Sequence, residues 1–194
     1  VEFTNSVGMP LREGLHFVNM TLVGAGIRDR IRLGASGKII SGADIATALA
    51  LGADWCNSAR GFMFAIGCIQ AQRCHLGTCP TGVTTQDKGR QRGLIPEVQG
   101  ERAARFHART LEALSDIVAA AGMTHPTELE PHHIMHRVGT ERALPMDRVH
   151  TFLKKNALID DPDDTIYAHW WKAASPDSFR PAIDLVEARA AKSR

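Results

Sequence analysis

The sequence predicts an α/β fold assembled from parallel β/α units. Three observations carry this: segments of helical apolar spacing alternate with short apolar runs through the first sixty residues, turn-forming Gly and Ser residues separate them, and the order helix, strand, helix, strand calls for crossover helices on the sheet faces. At 194 residues and 44% hydrophobic content the chain suffices for one ordinary core, as one domain or as part of a larger one.

The elements follow in order. Pro10 suits the first position of a helix, and Leu11, Leu15, Val18 and Leu22 recur at spacings of four, three and four, one apolar stripe ended by Gly24 and Gly26. Ile31, Leu33 and Ala35 form a short strand, and Ser36-Gly37-Lys38 after it reads as a turn. Ser41 and Asp44 have the spacing of a capping box, which starts a second helix with Ile45, Ala48 and Leu49 as its buried stripe and Gly52 as its stop. A second strand fits Ala53 to Ser58. Farther on, Glu97 to Ala121 reads as one long helix with Phe106, Leu114, Ile117, Val118 and Ala121 on one face, stopped at Gly122 and broken at Pro126. Its charged residues Glu101, Arg102, Arg105 and Arg109 form a solvated face.

Periodicity does not choose between a barrel and an open doubly wound sheet. In both, ligands sit beyond the carboxyl ends of the strands, which directs attention to Ser36 to Gly42 and Ala59 to Phe64. Gly37 lets backbone amides approach an anion, Lys38 offers a cation, and the helix capped at Ser41 turns its positive end the same way; Arg60-Gly61 repeats the arrangement after the next strand. A Gly-Lys turn alone is an ordinary loop. Two such turns at successive strand ends point to a phosphate-bearing ligand.

Three of the four cysteines fall within twelve residues, as Cys68, Cys74 and Cys79, with Pro80 directly after. Thiols this close, in a chain without a secretory pattern, argue for a metal rather than disulfides. Iron-sulfur, zinc and metal-free readings all stay open on spacing. Three thiolates match the three irons of a [3Fe-4S] cluster, and zinc would need His75 as a fourth ligand, awkwardly adjacent to Cys74. Cys56 lies in a strand and reads as a packed thiol.

At these residues the sequence resembles a known family. Gly67-Cys68-Ile69-Gln70, Cys74-His75-Leu76 and Thr78-Cys79-Pro80-Thr81-Gly82-Val83-Thr84-Thr85-Gln86 resemble the iron-sulfur loop of glutamate synthase, each cysteine at the family's spacing. The likeness runs back through Leu22 to Arg30, Ser36-Gly37-Lys38 and Ala48 to Ala53, and forward to about Val138, some ~130 residues counted along the sequence. It implies the C-terminal part of an FMN-binding (β/α)8 TIM barrel with an inserted cysteine cluster loop and a helical C-terminal extension. Residues 1–122 would be the last β/α units, including the cluster loop 67–86, and residues 123–194 the extension and tail.

The resemblance also implies an activity: an oxidoreductase in which reduced FMN, fed by the cluster, reduces the imine of 2-oxoglutarate and ammonia to glutamate. By the same resemblance Ser36, Gly37 and Lys38 would lie by the FMN phosphate after the penultimate strand, Ala59 and Arg60 after the last, and Cys68, Cys74 and Cys79 would hold a [3Fe-4S] cluster. Implied partners are 2-oxoglutarate, ammonia or glutamine-derived nitrogen, an electron donor (ferredoxin or an NAD(P)H-oxidising subunit) and the remainder of the barrel. Ser36 replaces the Asp that large synthases tend to have before the Gly-Lys pair, and Asn57 to Met63 differs from their final phosphate loop, which resembles more a shorter glutamate-synthase-like group with room for another amine-transferring activity. The reading from a different class is a zinc-stapled binding module.

The bulk properties exclude other classes. The 23 basic and 21 acidic residues leave a formal charge of +2 with no dense Lys/Arg block, so neither nucleic acid nor a membrane surface is indicated. No apolar run approaches the ~18 residues of a spanning helix, no signal-peptide pattern follows Val1, and a cytoplasmic location is expected. A half-barrel alone would expose strand edges, so the chain is expected to be a fragment or to pair with a chain carrying the rest. His132, His133 and His136 invite a metal reading, since His132 and His136, four apart, would share a helix face, but no Glu lies between them as in a zinc protease and a short helix started by Pro131 is the favoured reading. Asp160 to Asp164 reads as an acidic turn, Trp170-Trp171 is expected to pack against the barrel or a partner domain, and Glu187 to Arg194 reads as a fraying helix or tail.

Overall fold

The computed structural model describes residues 8–179. The expected tail from Glu187 to Arg194 lies outside that range. The described chain is mixed helix and strand and forms two compact units, one of residues 8–16 and 33–150 and one of residues 17–32 and 151–179.

The first unit contains the β/α arrangement. Strand β1 (Gly34–Ser36) pairs in parallel with β2 (Trp55–Asn57) in the register Gly34 to Trp55, Ala35 to Cys56 and Ser36 to Asn57. Parallel neighbours need a crossover, and helix α2 (Gly42–Ala50) supplies it. The capping box at its start is present: Ser41 Oγ accepts from the Asp44 N–H at 3.2 Å, and Asp44 Oδ2 accepts from the Ser41 N–H at 3.0 Å. Both strands are shorter than the apolar runs suggested. Ile31 falls outside β1 because Arg28–Arg30 closes into a 3-10 turn and Ile31 follows as its extended cap.

Helix α3 (Arg60–Ala65) follows β2, the cysteine loop comes next, then α4 (Lys88–Gln91) and the long α5 (Pro96–Ala120). The small face of α2, Gly42, Ala46 and Ala50, lets α5 come close enough for Leu114 and Val118 to be buried there with Leu129. Phe106 of α5 meets Phe62 of α3 edge-on at 5.0 Å. A second cluster of Leu15, Ala35, Ile39, Ala48, Leu51, Ala53 and Met146 underlies β1 and its turn, with Cys56 partly buried against it. The unit closes with an antiparallel pair, β3 (Met135–Arg137) and β4 (Ala143–Pro145), and the short α6 (Met146–Val149).

That pair corrects the histidine reading. Pro131–His133 is a 3-10 turn and His136 sits in β3, so His132 and His136 share no helix face; the His132 ring lies against that of His133 instead, centroids 3.9 Å apart and tilted by 45°. The Glu130 N–H donates to the His133 ring nitrogen at 3.0 Å and caps the start of the turn, but the chain extends from Ile134 to pair as β3 with β4, which ends it after one turn.

Helix α1 (Leu11–Gly24) contributes to both units. Its buried residues are Leu15, His16, Asn19, Met20 and Gly24, and Val18 of the expected stripe is exposed. The difference has a physical cause: Leu15 belongs to the core of the first unit and Met20 to that of the second, so one periodic stripe does not describe the helix.

In the second unit Met20, Leu158 of α7 (Ala157–Asp160) and Tyr167 form the core, with Phe17, Val23, Phe152, Leu153 and Trp171 against them. Phe17 stacks on Tyr167 at 5.3 Å, and Lys155 pairs with Asp29 at 2.6 Å. Pro162–Asp164 is a 3-10 turn within the expected acidic segment. Helix α8 (Ala168–Ala173) carries both tryptophans; Trp171 packs into the core, and Trp170 meets Phe17 edge-on while remaining half exposed. Among the described residues no helix is long and apolar enough to cross a membrane.

Candidate functional site

An open cleft of about 800 Å³ lies in the first unit, beside the carboxyl end of β1. Its volume is in the range of small-molecule sites, roughly 300–1,000 Å³. Ser36, Gly37, Lys38 and Arg60 all line it, so four of the five residues expected at a phosphate site meet there. Ala59 is the N-cap of α3 and does not contribute to the lining.

Ser36 and Asn57 are register partners at the carboxyl ends of β1 and β2, so the loops after them start side by side, and one hydrogen bond ties them. Ser58 Oγ, just past β2, donates to the Ile39 carbonyl at 2.7 Å, tying the loop after β2 to the loop after β1. Lys38 is held in the left-handed region at φ 57°, a conformation that costs a non-glycine residue free energy and concentrates at functional sites. Ile39 behind it is buried, so the turn is anchored on its inner side and open on the outer.

The cations come from three elements. Lys38 belongs to the first turn, Arg60 to α3, and Arg12 to the first turn of α1, which no pattern along the chain places here. Glu13 and Asp44 also line the cleft. Burial pushes the Asp44 carboxyl up, but hydrogen bonds from Ser41 and the Ile40 N–H outweigh it, and the group lies below the usual carboxylate range. Asp44 therefore occupies the Ile40 and Ser41 amides. Attraction for an anion rests on the side-chain cations more than on the helix end that the Ser41 cap suggested. Leu11, Leu15, Ile39 and Leu51 give the cleft an apolar wall.

The cysteine loop is the second feature. Cys68 is partly buried, Cys74 exposed and Cys79 buried. The Thr81 hydroxyl lies 3.4 Å from Cys79 Sγ, and with hydrogen bonds from the Thr84 and Thr81 backbone it brings the Cys79 thiol down to about 6, against the desolvation that opposes it. The Gln70 N–H approaches Cys68 Sγ at 3.5 Å. N–H groups and hydroxyls aimed at sulfur are what a thiolate ligand set requires, and a thiol already ionised near neutrality releases no proton on binding a metal. The Thr78 hydroxyl, buried beside Cys79, has no hydrogen-bond partner among the described residues. The donor chemistry thus fits a thiolate-ligated centre, although no group of three or more His, Cys, Asp or Glu is gathered for a metal among the described residues. His75 follows Cys74 in an exposed 3-10 turn. Burial raises the Cys56 thiol, in keeping with a packed side chain.

The loop is braced from behind. Thr85 Oγ1 donates to the Gly77 carbonyl at 2.5 Å, Gln91 Nε2 to the Thr85 carbonyl at 2.8 Å, and Arg90 Nη1 to the Thr78 carbonyl at 3.0 Å. Gly82 packs so near the Arg90 carbonyl that any side chain there would collide with it. Asp87 caps α4 through the Gly89 and Arg90 N–H groups at 2.7 and 3.1 Å.

Comparison with known proteins bears on both features. The family model described as "conserved region in glutamate synthase" matches residues 1–158. A Bacillus subtilis glutamate synthase large subunit-like protein, YerD, is 37% identical over 153 residues, 78% of this chain and 29% of that protein. The archaeal glutamate synthase [NADPH] of Methanocaldococcus jannaschii is 34% identical over 121 residues, 62% of this chain and 24% of that one. The glutamate synthase [NADH] of Schizosaccharomyces pombe is 36% identical over 115 residues, 59% of this chain and 5% of that one. The chain spans less than a third of the length of each of these relatives.

Proposed function

From the premise that this chain belongs to the glutamate synthase family, we propose that it forms the C-terminal part of an FMN-binding catalytic (β/α)8 barrel that makes glutamate. In this reading residues 1–122 supply the last β/α units and residues 123–194 an extension, in a cytoplasmic protein. The observation that carries it is the convergence of Ser36, Gly37, Lys38 and Arg60 on one cleft at the ends of two parallel strands. When bound, FMN would supply the reduction of the imine formed from 2-oxoglutarate and ammonia, with electrons relayed by a [3Fe-4S] cluster.

The chain's own part is to hold and orient. Lys38 and Arg60, helped by Arg12, neutralise a terminal phosphate, while Leu15, Ile39 and Leu51 exclude water from one side of the cleft. Cys68, Cys74 and Cys79 supply three thiolates, and the hydrogen bonds around Cys79 keep that one ready. The names of the relatives support the reaction class, and the difference of Asn57 to Met63 from the large synthases leaves the amine acceptor to experiment.

The test has two arms. Fluorescence titration of the full protein with FMN and with riboflavin reads the phosphate site: Lys38→Ala and Arg60→Ala should each weaken FMN by roughly tenfold, as expected for losing a charge-assisted contact, and leave riboflavin unchanged. Equal loss for both flavins, or none, refutes the phosphate assignment. Iron, sulfide and zinc analysis with low-temperature EPR after anaerobic preparation reads the cluster: about three irons per chain, lost in Cys74→Ser, support it. Zinc without iron would make the loop a structural metal module instead.

A further inference from the structure

Threonines crowd the last cysteine of the loop. Thr78, Thr81, Thr84 and Thr85 fall in one short run with Cys79, whose thiol is buried. They divide by what their hydroxyls do. Thr85 Oγ1 donates to the Gly77 carbonyl and accepts from the Asp87 N–H, which makes it a brace. Thr81 Oγ1 lies 3.4 Å from Cys79 Sγ, and the Thr81 and Thr84 backbone turns to the same sulfur. The Thr84 hydroxyl contributes to that sulfur only weakly, and it and the Thr78 hydroxyl are buried without a hydrogen bond of full geometry among the described residues.

A buried hydroxyl that bonds to nothing has given up its water without return, and folded proteins keep few of them. A hydroxyl used to brace the loop is satisfied within it, as that of Thr85 is. The other two cysteines lack this surround. Cys68 Sγ is approached at 3.5 Å by the Gln70 N–H, and the Cys74 thiol stands in solvent with no hydrogen bond among the described residues. Hydroxyl donors therefore gather at one of three sulfurs. A thiolate ligand carries no proton, so Thr81 can only donate to it. One-electron reduction of an iron-sulfur centre adds negative charge that its sulfurs share, and a hydrogen bond to sulfur strengthens with that charge, so each donor favours the reduced form.

We infer that Thr78, Thr81 and Thr84 are positioning residues that tune the redox centre: their hydroxyls donate to sulfur on the Cys79 side and raise its reduction potential. The inference rests on the redox reading of the loop and adds to it the residues that set how readily the centre accepts an electron. Thr85, two positions before Asp87, is excluded from this role by its brace.

The test uses the full protein prepared anaerobically, with iron content measured and the midpoint potential read by dithionite titration with low-temperature EPR of the oxidised cluster. Dithionite supplies the one electron, and no bond is made or broken. Thr81→Val should lower the one-electron reduction constant roughly tenfold, about 59 mV in potential, with iron retained. The double variant T78V/T84V should lower it in the same direction. Thr81→Ser keeps the hydroxyl and should restore the wild-type potential. Thr85→Val is the control: loss of its brace lowers iron retention but leaves the potential of the remaining clusters in place. Iron retained with an unmoved potential in both valine variants, or a Thr85→Val shift equal to that of Thr81→Val, overturns the tuning role and leaves the redox reading intact. Thr81→Ala and T78A/T84A repeat the comparison without added bulk, and loss of iron from the valine and alanine variants alike makes the threonines structural and overturns the role as well. A wild-type preparation without iron overturns the redox reading itself, and the tuning with it.

Discussion

Gly42→Ala isolates the contact that holds the crossover helix against α5. An alanine Cβ at this position would stand 2.6 Å from the Leu114 nitrogen and 2.9 Å from the Ala113 carbonyl carbon. Both are backbone atoms within α5, so no rotamer change relieves the collision. Restoring ordinary separations of about 3.5 Å requires the helices to part by about 1 Å, and overpacking of this kind costs about 1–3 kcal/mol. Against it stands the smaller unfolded-state entropy of alanine, worth about 0.4–1 kcal/mol. The steric effect wins. The net of about 0–2.6 kcal/mol, at about 2–4 °C per kcal/mol for a protein of this size, should lower the melting temperature by up to about 10 °C. Gly100→Ala, on the same α5 but facing open space, provides the control: with nothing within 4 Å of its Cβ it should raise the melting temperature by roughly 1–4 °C. Thermal unfolding followed by far-ultraviolet circular dichroism compares the two. A Gly42→Ala protein that melts above the wild type would refute the close approach of α2 and α5.

Other consequences can be checked alongside. Leu158→Ala empties a fully buried position in the second unit beside Met20 and Tyr167 and should cost about 2–5 kcal/mol by urea unfolding, with little change if that core is not packed as described. Asp44 is held below the usual carboxylate range in the folded state, so its contribution is complete above the ordinary carboxylate pKa and is lost as the pH falls through the lowered one; wild type should lose stability on acidification below about pH 4 more steeply than Asp44→Asn, and parallel acid limbs would count against the cap. Thr81→Val removes the hydroxyl beside Cys79, so thiolate absorbance in metal-free protein should show this thiol titrating above its present value of about 6, with an unmoved titration refuting the hydrogen bond.

Local chemistry was open to reading along the chain. The Ser41 to Asp44 capping box, the span of α5 to within a residue at each end, the parallel β/α order and the three clustered thiols all depend on groups at most a few positions apart, or on a repeating apolar spacing that the helix itself imposes. Those hydrogen bonds and periods form wherever the residues occur. Family membership was legible for the same reason, because the cysteine spacing is itself a local pattern.

What the sequence could not supply was which surface each element meets. Val18 belongs to an apolar stripe yet stays exposed, because α1 serves two cores and turns Leu15 to one and Met20 to the other. The histidines of 131–136 have helical spacing, but pairing between β3 and β4 drew His136 into a strand. Arg12 joins Lys38 and Arg60 only because α1 borders the cleft, and the two strand-end loops meet through a Ser58 to Ile39 bond that spans nineteen residues. Cys79 is buried and acidified while Cys74, five residues earlier, stays in solvent. Spacing determines which partners are near along the chain; burial, charge and desolvation depend on partners brought from elsewhere, and only the packed structure decides them.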